Sequence, residues 1–181
     1  MTAEEFLALP EDGKDRWLIH GHLREQPMTV RNRTHARIVM RIGQILGNWV
    51  DQQPQPRGEI LGGEAGCRLT QTPDTVVGID VVYLSPEQVA QQSEDTTLIS
   101  GVPTLAVEVL SPNDTQENTH EKISTYLNAG VSLVWIVNPY DSTIVVYRPD
   151  SEPVLFNIQQ SLSADPLLPG CQLAVEQVFS R

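Results

Sequence analysis

Two carboxylate residues interrupt segments of the chain that are otherwise apolar. Asp80 stands in VVGIDVVYL (76–84) and Glu108 in PTLAVEVL (103–110), and both segments have the composition of buried strands. Burying a carboxylate without a partner costs several kcal/mol, so a stable fold needs something that compensates the two charges. A hard divalent cation prefers oxygen ligands. A divalent cation shared by Asp80 and Glu108 is one way to compensate the two charges.

A lysine follows the second acidic segment, early in the next predicted helix. The apolar residues Ile123, Tyr126 and Leu127 should face the sheet, which puts Lys122 at the border of that face. An ammonium group there could stabilise or orient the oxygen that attacks a phosphodiester, while a metal ion acidifies water and polarises the phosphate. The same residue types also fit a structural ion pair between Lys122 and one of the acids, and that alternative stays open.

The elements around these residues predict a parallel strand pair in a mixed sheet. Strand 103–110, helix 116–129 and strand 131–137 follow one another, an order typical of a right-handed crossover. Gly130 is placed to cap the end of the helix. Short loops join the earlier strands, which should therefore be antiparallel; they are predicted at 58–63, 66–70 and 76–84.

Flanking helices and a hairpin complete the predicted fold. Apolar residues at three- and four-residue spacing predict an amphipathic helix over 34–50. Helix start signals predict short helices at 3–9 and 85–92. Segments 143–149 and 153–158 resemble a hairpin, and a short helix should end the chain. The predicted architecture is a single α/β domain over 1–181, with a mixed sheet flanked by helices.

The composition is that of an ordinary globular protein with a strong negative charge. Of 181 residues, 40% are hydrophobic and 19% charged, and the net charge is −11. No apolar run is long enough for a membrane span, and no signal peptide is evident, so we expect a cytoplasmic protein without a membrane partner. Cys67 and Cys171 form no metal-binding spacing. Small size and apolar helices make a homodimer an expectation, without indicating its interface.

Three segments carry a resemblance to a known family. TAEEFLALPEDG (2–13), AVEVLSPND (106–114) and KISTYLNAGVSLVWIVNP (122–139) closely resemble the Uma-two family of restriction endonuclease domains, whose fold is that of the PD-(D/E)XK nucleases. The resemblance implies a restriction-endonuclease-like sheet and a catalytic set of Asp80, Glu108 and Lys122. In such a set the two acids bind the metal, and the lysine stands on the helix rather than on the strand.

The N-terminal part of the chain departs from the family pattern. Relatives tend to have acids in a motif like ELIDGEL, where this chain reads WLIHGHL, so that Trp17, His20 and His22 stand in their places. His20 and His22 should share one face of a strand, although two imidazoles alone are a weak sign of a metal site. His35, at the start of the long helix, could lie over the site as an auxiliary group that positions the substrate, or could be an ordinary polar residue near a helix start.

Two functions remain open after these observations. The first is a Mg²⁺- or Mn²⁺-dependent nuclease with a nucleic acid substrate, DNA or RNA, in which Asp80 and Glu108 bind the metal. The second is a catalytically inactive binding module that keeps the nuclease fold. The net charge of −11 and the altered N-terminal motif favour the second, because affinity for nucleic acid depends largely on basic residues that neutralise phosphates. Arg31, Arg33, Arg37 and Arg41 could form a local basic strip or a solvated helix face.

Overall fold

The computed structural model describes residues 1–28, 32–93 and 97–180. Within them the strands are β1 (Lys14–Ile19), β2 (His22–Pro27), β3 (Glu59–Thr70), β4 (Thr75–Leu84), β5 (Ile99–Ser100), β6 (Leu105–Val109), β7 (Leu133–Asn138), β8 (Thr143–Tyr147), β9 (Val154–Phe156), β10 (Ser161–Ser163) and β11 (Gln172–Ala174). The helices are α1 (Ala3–Leu7), α2 (Arg33–Asp51), α3 (Pro86–Val89), α4 (Gln116–Ala129) and α5 (Val175–Phe179).

One mixed sheet organises the described residues. Its strands follow the order β2-β1-β4-β6-β7-β8-β9, with β3 paired to β4 and β5 paired to β3, while β10 and β11 form a separate two-stranded sheet. Strands β6 and β7 are parallel, as predicted, and α4 connects them. Strands β3 and β4 are antiparallel, also as predicted. The predicted fold class is confirmed.

The two faces of the sheet bury different helices. Helix α2 packs one apolar stripe, including Ile38, Ile42 and Leu46, into the larger core cluster, which also contains Trp135. Helix α4 packs Ile123 and Tyr126 into the cluster on residues such as Val82 and Ala106. The side chains of neighbouring positions on a strand point to opposite faces, so these continuous apolar strands feed both clusters.

Helix boundaries follow local capping chemistry. The side chain of Asn32 accepts a hydrogen bond from the N–H of His35 and so begins α2. Helix α4 begins at the Thr115 cap and ends at Gly130, whose φ of 103° is the left-handed conformation predicted for it. The predicted helix over 85–92 is shorter: the α-helix covers Pro86–Val89, and the hydrogen bonds that Gln91 and Gln92 donate after it reach back only three residues.

The predicted strands at 58–63 and 66–70 are one strand, β3, with an irregularity in its middle. Its pairing with β4 shifts between Gly62 and Ala65, where Gly63 and Glu64 both have positive φ. Such a bulge bends a strand without ending it. The break predicted after Gly63 is therefore this bulge, and one strand continues through it.

The β1–β2 hairpin corrects one expectation about the histidines. His20 has a φ of 48° and forms the turn with Gly21, whereas His22 is the first residue of β2. They therefore do not share a strand face, and that expectation is wrong. The turn requires positive φ at both positions, which Gly21 adopts without steric cost.

Helix α1 is held against the hairpin and β4 by one buried carboxylate. Asp74 accepts a hydrogen bond from the N–H of Ala3 at 2.6 Å and pairs with Arg68 at 2.9 Å. Arg68 also reaches Glu4 of the same helix at 2.9 Å. Ala3 and Leu18 lie buried beneath this network, which ties the N-terminal helix to the sheet.

None of the helices within the described ranges is long and apolar enough to cross a membrane.

Candidate active site

The candidate site begins where strands β4 and β6 separate. Their antiparallel register runs from Tyr83–Leu105 to Val81–Val107 and goes no further. The next residue of each strand beyond that last pair is an acid, Asp80 on β4 and Glu108 on β6. Residues opposite each other in an antiparallel pair share a face, so the opening of the sheet brings these two carboxylates to facing positions.

Where the backbones of β4 and β6 no longer pair, the side chain of Asp80 accepts a hydrogen bond from β6 instead. Its Oδ2 accepts a hydrogen bond from the backbone N–H of Val109 at 2.8 Å. His35 Nε2, from the first turn of α2, lies 3.3 Å from the same oxygen. Both side chains are buried. Helix α2 thus contributes to the site through a residue at its N-terminal end.

Glu108 is held at both oxygens by helix α4. Lys122 Nζ donates to Oε2 at 2.7 Å, and the hydroxyl of Tyr126 donates to Oε1 at 2.7 Å. The two donors stand four residues apart, which places them on one face of the helix. Glu108 is 5% exposed. This geometry fixes the plane and position of its carboxylate.

Burial and charge act in opposite directions on the Glu108 carboxyl. Burial raises the pKa of Glu108. The contacts with Lys122 and Tyr126 lower that pKa, the negative charge of Asp80 raises it, and the net shift is upward. The negative charge of Glu108 in turn raises the pKa of the Lys122 ammonium group. Burial, followed by Glu108, raises the pKa of Tyr126 far above its usual value. Tyr126 is therefore a hydrogen-bond donor that keeps its proton.

The bulge of β3 shapes the site from the other side of β4. Gly62 pairs with Val81 and Ala65 pairs with Ile79, so the bulge lies directly opposite Asp80. At Gly78 a Cβ atom would stand 3.4 Å from the Cβ of Glu64, so the glycine leaves room for that side chain beside the cleft. Bulges are frequent next to active sites, where they redirect a strand.

All four candidate residues from the sequence line one cleft: Asp80, Glu108, Lys122 and His35. Hairpin β1–β2, helix α4 and the segment after β6 form its walls. Its other lining residues are Asp15, Arg16, Trp17, Ile19, Gln26, Glu64, Val77, Gly78, Val109, Ser111, Asn113, Asp114, Asn118, Glu121, Thr125 and Tyr126.

The sequence does not indicate that Tyr126 and Asp15 line the cleft. The sequence predicts Tyr126 on the apolar face of α4, and its hydrogen bond to Glu108 follows only from the way the helix crosses that end of β6. The four-residue spacing from Lys122 is the signal that could have indicated it. Asp15 lies just before WLIHGHL, and nothing in the local sequence pattern marks it. Trp17, which was considered as a missing acid, lines the cleft itself.

The basic residues of α2 do not form part of the cleft wall. Arg37 donates to the backbone carbonyls of Phe179 and Ser180 and so attaches α2 to the end of α5. Arg41 donates to Gln44 on its own helix. Arg31 lies outside the described residues. Of these arginines, Arg37 therefore holds two helices together, and neither Arg37 nor Arg41 lines the cleft.

The donor set of the cleft is suited to a hard cation held partly by water and substrate. Among the residues that the structure describes, no group of three or more His, Cys, Asp or Glu side chains is arranged to enclose a metal. Mg²⁺ is commonly held by one or two carboxylates, with water and phosphate oxygens as its remaining ligands. A carboxylate has about four lone-pair sites, so Asp80 and Glu108 can keep their present partners and still offer oxygens.

Comparison with known proteins agrees with this architecture. A family model described as "Uma2: Putative restriction endonuclease" matches residues 3–176. A solved structure described as "a putative nuclease belonging to DUF820 from Anabaena variabilis ATCC 29413" superposes with a TM-score of 0.81 at 22% identity, over 99% of this chain and 98% of that chain. At this identity the likeness shows the fold. No functionally curated protein gives a match.

Proposed function

Starting from the fact that this chain belongs to the Uma2 family, we propose that it is a Mg²⁺- or Mn²⁺-dependent nuclease that hydrolyses phosphodiester bonds in DNA or RNA. The observation that carries the proposal is the facing position of Asp80 and Glu108 where β4 and β6 separate, with Lys122 Nζ 2.7 Å from Glu108. In this proposal the two acids hold the cation and Lys122 stands beside the reacting oxygens.

The chain's own residues would prepare this site before substrate binds. His35 and the Val109 N–H hold Asp80, while Tyr126 and Lys122 hold Glu108, so both carboxylates are fixed in position. Preorganised charge needs no rearrangement during reaction, which is a main source of catalytic power. A divalent cation bound there would supply positive charge for a phosphate and would acidify a nearby water. Lys122 would add a second positive charge beside the attacking or leaving oxygen.

Cleavage of labelled nucleic acids by the pure protein tests the proposal. Single- and double-stranded DNA and RNA are incubated with Mn²⁺, with Mg²⁺ and with EDTA. We expect metal-dependent cleavage that falls by at least about a hundredfold in Asp80→Asn, Glu108→Gln and Lys122→Met, because each removes a charge that acts on the transition state. Glu152→Gln, an exposed acid outside the cleft, is the matched control and should cleave normally. Cleavage by the three site variants equal to that of the parent chain would show a contaminant and overturn the proposal.

The hydrogen bonds that Glu108 already accepts favour a second function. Because both of its oxygens already accept hydrogen bonds, the trio can also be a structural ion pair in an inactive binding module. A thermal shift separates the two functions. A ligand that binds only the folded state raises the melting temperature by mass action, and at 100 times its Kd contributes about 2.7 kcal/mol. A rise with Mn²⁺ that disappears in Asp80→Asn supports the nuclease, and its absence supports the binding module.

We also propose that the protein is cytoplasmic and forms a homodimer. The edge strand β9 exposes Val154 and Leu155, at 46% and 56%, which is an apolar edge of the kind that strand pairing between two copies would cover. Light scattering of the eluted protein distinguishes a dimer from a monomer. Leu155→Lys should shift a dimer to a monomer, and an unchanged mass would exclude β9 as the contact.

A further inference from the structure

The cleft contains a carboxylate that the proposed chemistry does not use. Asp15, on β1, lines the cleft, and its Oδ2 is shielded from solvent without a hydrogen-bond partner. A buried acceptor without a donor costs free energy that a bound ligand could recover. Asp15 is not grouped with Asp80 and Glu108 in any three-residue arrangement that could hold a metal within the described ranges. We therefore expect its hydrogen-bond donor to come from the substrate.

The hairpin places an aromatic ring and an amide beside this carboxylate. Asp15, Trp17 and Ile19 share one face of β1 and line the cleft. Leu18 packs on the opposite face beneath Ala3, and Arg16 reaches the cleft from that opposite face. Gln26 of β2 is the register partner of Asp15 and also lines the cleft. Trp17 is half-buried, because one part of it rests on the core cluster below α4.

The charges of the cleft argue against recognition through many phosphates. Its lining includes six carboxylates (Asp15, Glu64, Asp80, Glu108, Asp114 and Glu121) and two permanent cations (Arg16 and Lys122). Arg16 is paired with Asp12 and Glu25, and Lys122 with Glu108. Affinity for duplex nucleic acid depends on cations that neutralise successive phosphates, and this wall offers few of them. Contacts with the bases must therefore carry a larger share.

We propose that Asp15, Trp17 and Gln26 form a recognition surface for an unpaired nucleobase that bears an exocyclic amino group, so that the nuclease acts on single-stranded nucleic acid. The inference rests on the proposed nuclease function and adds its substrate class. The base stacks on Trp17, its amino group donates to Asp15, and Gln26 contacts the remaining edge. Stacking on an aromatic side chain and hydrogen bonding to an open Watson–Crick edge is the usual way in which proteins read single strands.

The same geometry predicts which bases are disfavoured. Cytosine, adenine and guanine each present an amino donor to a carboxylate, as cytosine does to Asp or Glu in duplex readout. Thymine and uracil present carbonyl oxygens on both sides of their single ring N–H, and these oxygens would face the negative charge of Asp15. The cleft should therefore prefer cytosine-containing strands over thymine-containing strands of equal length and charge.

Binding of short oligonucleotides, followed by tryptophan fluorescence, tests this inference. Oligo(dC), oligo(dT), oligo(rC) and oligo(rU) are titrated into the full chain, both in EDTA and in Mg²⁺. Trp49 and Trp135 are buried, so quenching on stacking should come from Trp17. In at least one of the two buffers we expect oligo(dC) to bind about tenfold more tightly than oligo(dT), with the corresponding preference in RNA. Equal affinities, or no binding in either buffer, would overturn the inference.

Variants assign the preference to the hairpin. Asp15→Ala should abolish the preference for cytosine, whereas Glu152→Ala, which removes one exposed negative charge elsewhere, should leave it unchanged. Trp17→Leu should weaken binding about tenfold and remove the quench, and Trp17→Phe, which keeps a ring, should retain most of the affinity. A preference that survives in folded Asp15→Ala would refute the assignment. Cleavage without base preference would refute the recognition surface and leave the nuclease function standing. Base-dependent binding without cleavage would refute the nuclease function and leave only the recognition surface.

Discussion

Replacing Tyr126 by phenylalanine should reveal how strongly α4 holds Glu108. The change removes a hydrogen bond of 2.7 Å to Oε1 and leaves that oxygen, on a residue 5% exposed, without its donor. A hydrogen bond to a charged group contributes about 1.5–3 kcal/mol, and a buried acceptor left unsatisfied costs a similar amount. We expect the free energy of unfolding to fall by about 2 kcal/mol. In a chain of this size, that corresponds to a fall in melting temperature of about 4–8 °C.

Urea unfolding followed by circular dichroism measures this loss, with Tyr140→Phe as the matched control. Tyr140 is 63% exposed, so loss of its hydroxyl should change stability by less than about 0.5 kcal/mol. A double-mutant cycle with Glu108→Gln isolates the interaction, because Tyr126→Phe should cost less once the carboxylate is neutral. Stability of Tyr126→Phe equal to that of the parent chain would refute the claim that the phenol anchors Glu108.

Further predictions concern the parts of the fold that support the site. Burial raises the pKa of Asp74, but the Ala3 N–H and Arg68 outweigh it and the net pKa is lowered. The Asp74 carboxylate therefore stabilises the fold fully at pH values above its ordinary pKa of 3.8. This contribution is lost as the pH falls through the lowered pKa of the folded protein. Melting curves against pH should show Asp74→Asn less stable than the parent at pH 7, with the gap closing in acid; a constant gap would contradict this. Gly130→Ala should cost about 1 kcal/mol, because φ is 103° there. Gly47→Ala, inside α2 with no atom within 4 Å of the new Cβ, should instead stabilise by about 0.5–1 kcal/mol, as measured by urea unfolding. Gly58→Ala should cost at least about 1 kcal/mol, since its Cβ would stand 2.3 Å from the backbone oxygen of Leu84; an unchanged midpoint would show that the strand end can move.

Local sequence patterns predicted the part of the fold that carries Glu108 and Lys122. The apolar strands and the intervening amphipathic helix determine the crossover from β6 to β7, and Gly130 marks the end of α4 because few other residues adopt its conformation. The amphipathic helix predicted over 34–50 is α2, with bounds of Arg33–Asp51. In these segments the periodicity of the residues and their burial in the fold agree.

Features that depend on strand pairing were beyond local patterns. The predicted end of a strand at Gly63 is a bulge in the fold, because glycine is frequent both at strand ends and in bulges, and only pairing with β4 distinguishes them. The separation of β4 and β6 is likewise a property of two strands, although it decides where Asp80 and Glu108 meet. His20 was expected in a strand, but the two-residue connection to His22 places it in the turn.

The net charge of −11 is compatible with a nuclease if recognition is local. Single-stranded substrates can be held by stacking and hydrogen bonds at one or two bases, with less dependence on phosphate neutralisation than duplex DNA requires. The acidic cleft would then exclude long duplexes by repulsion, while a divalent cation lowers the local negative charge. Cleavage and binding should respond differently to salt for duplex and single-stranded substrates.

A crystal of the protein soaked in Mn²⁺ tests the central claim most directly. Anomalous scattering locates the ion independently of any assay for activity. The account predicts a peak in contact with carboxylate oxygens of both Asp80 and Glu108, and no peak there in crystals of Asp80→Asn. A cleft without such a peak at saturating Mn²⁺, with Glu108 still held only by Lys122 and Tyr126, would contradict it.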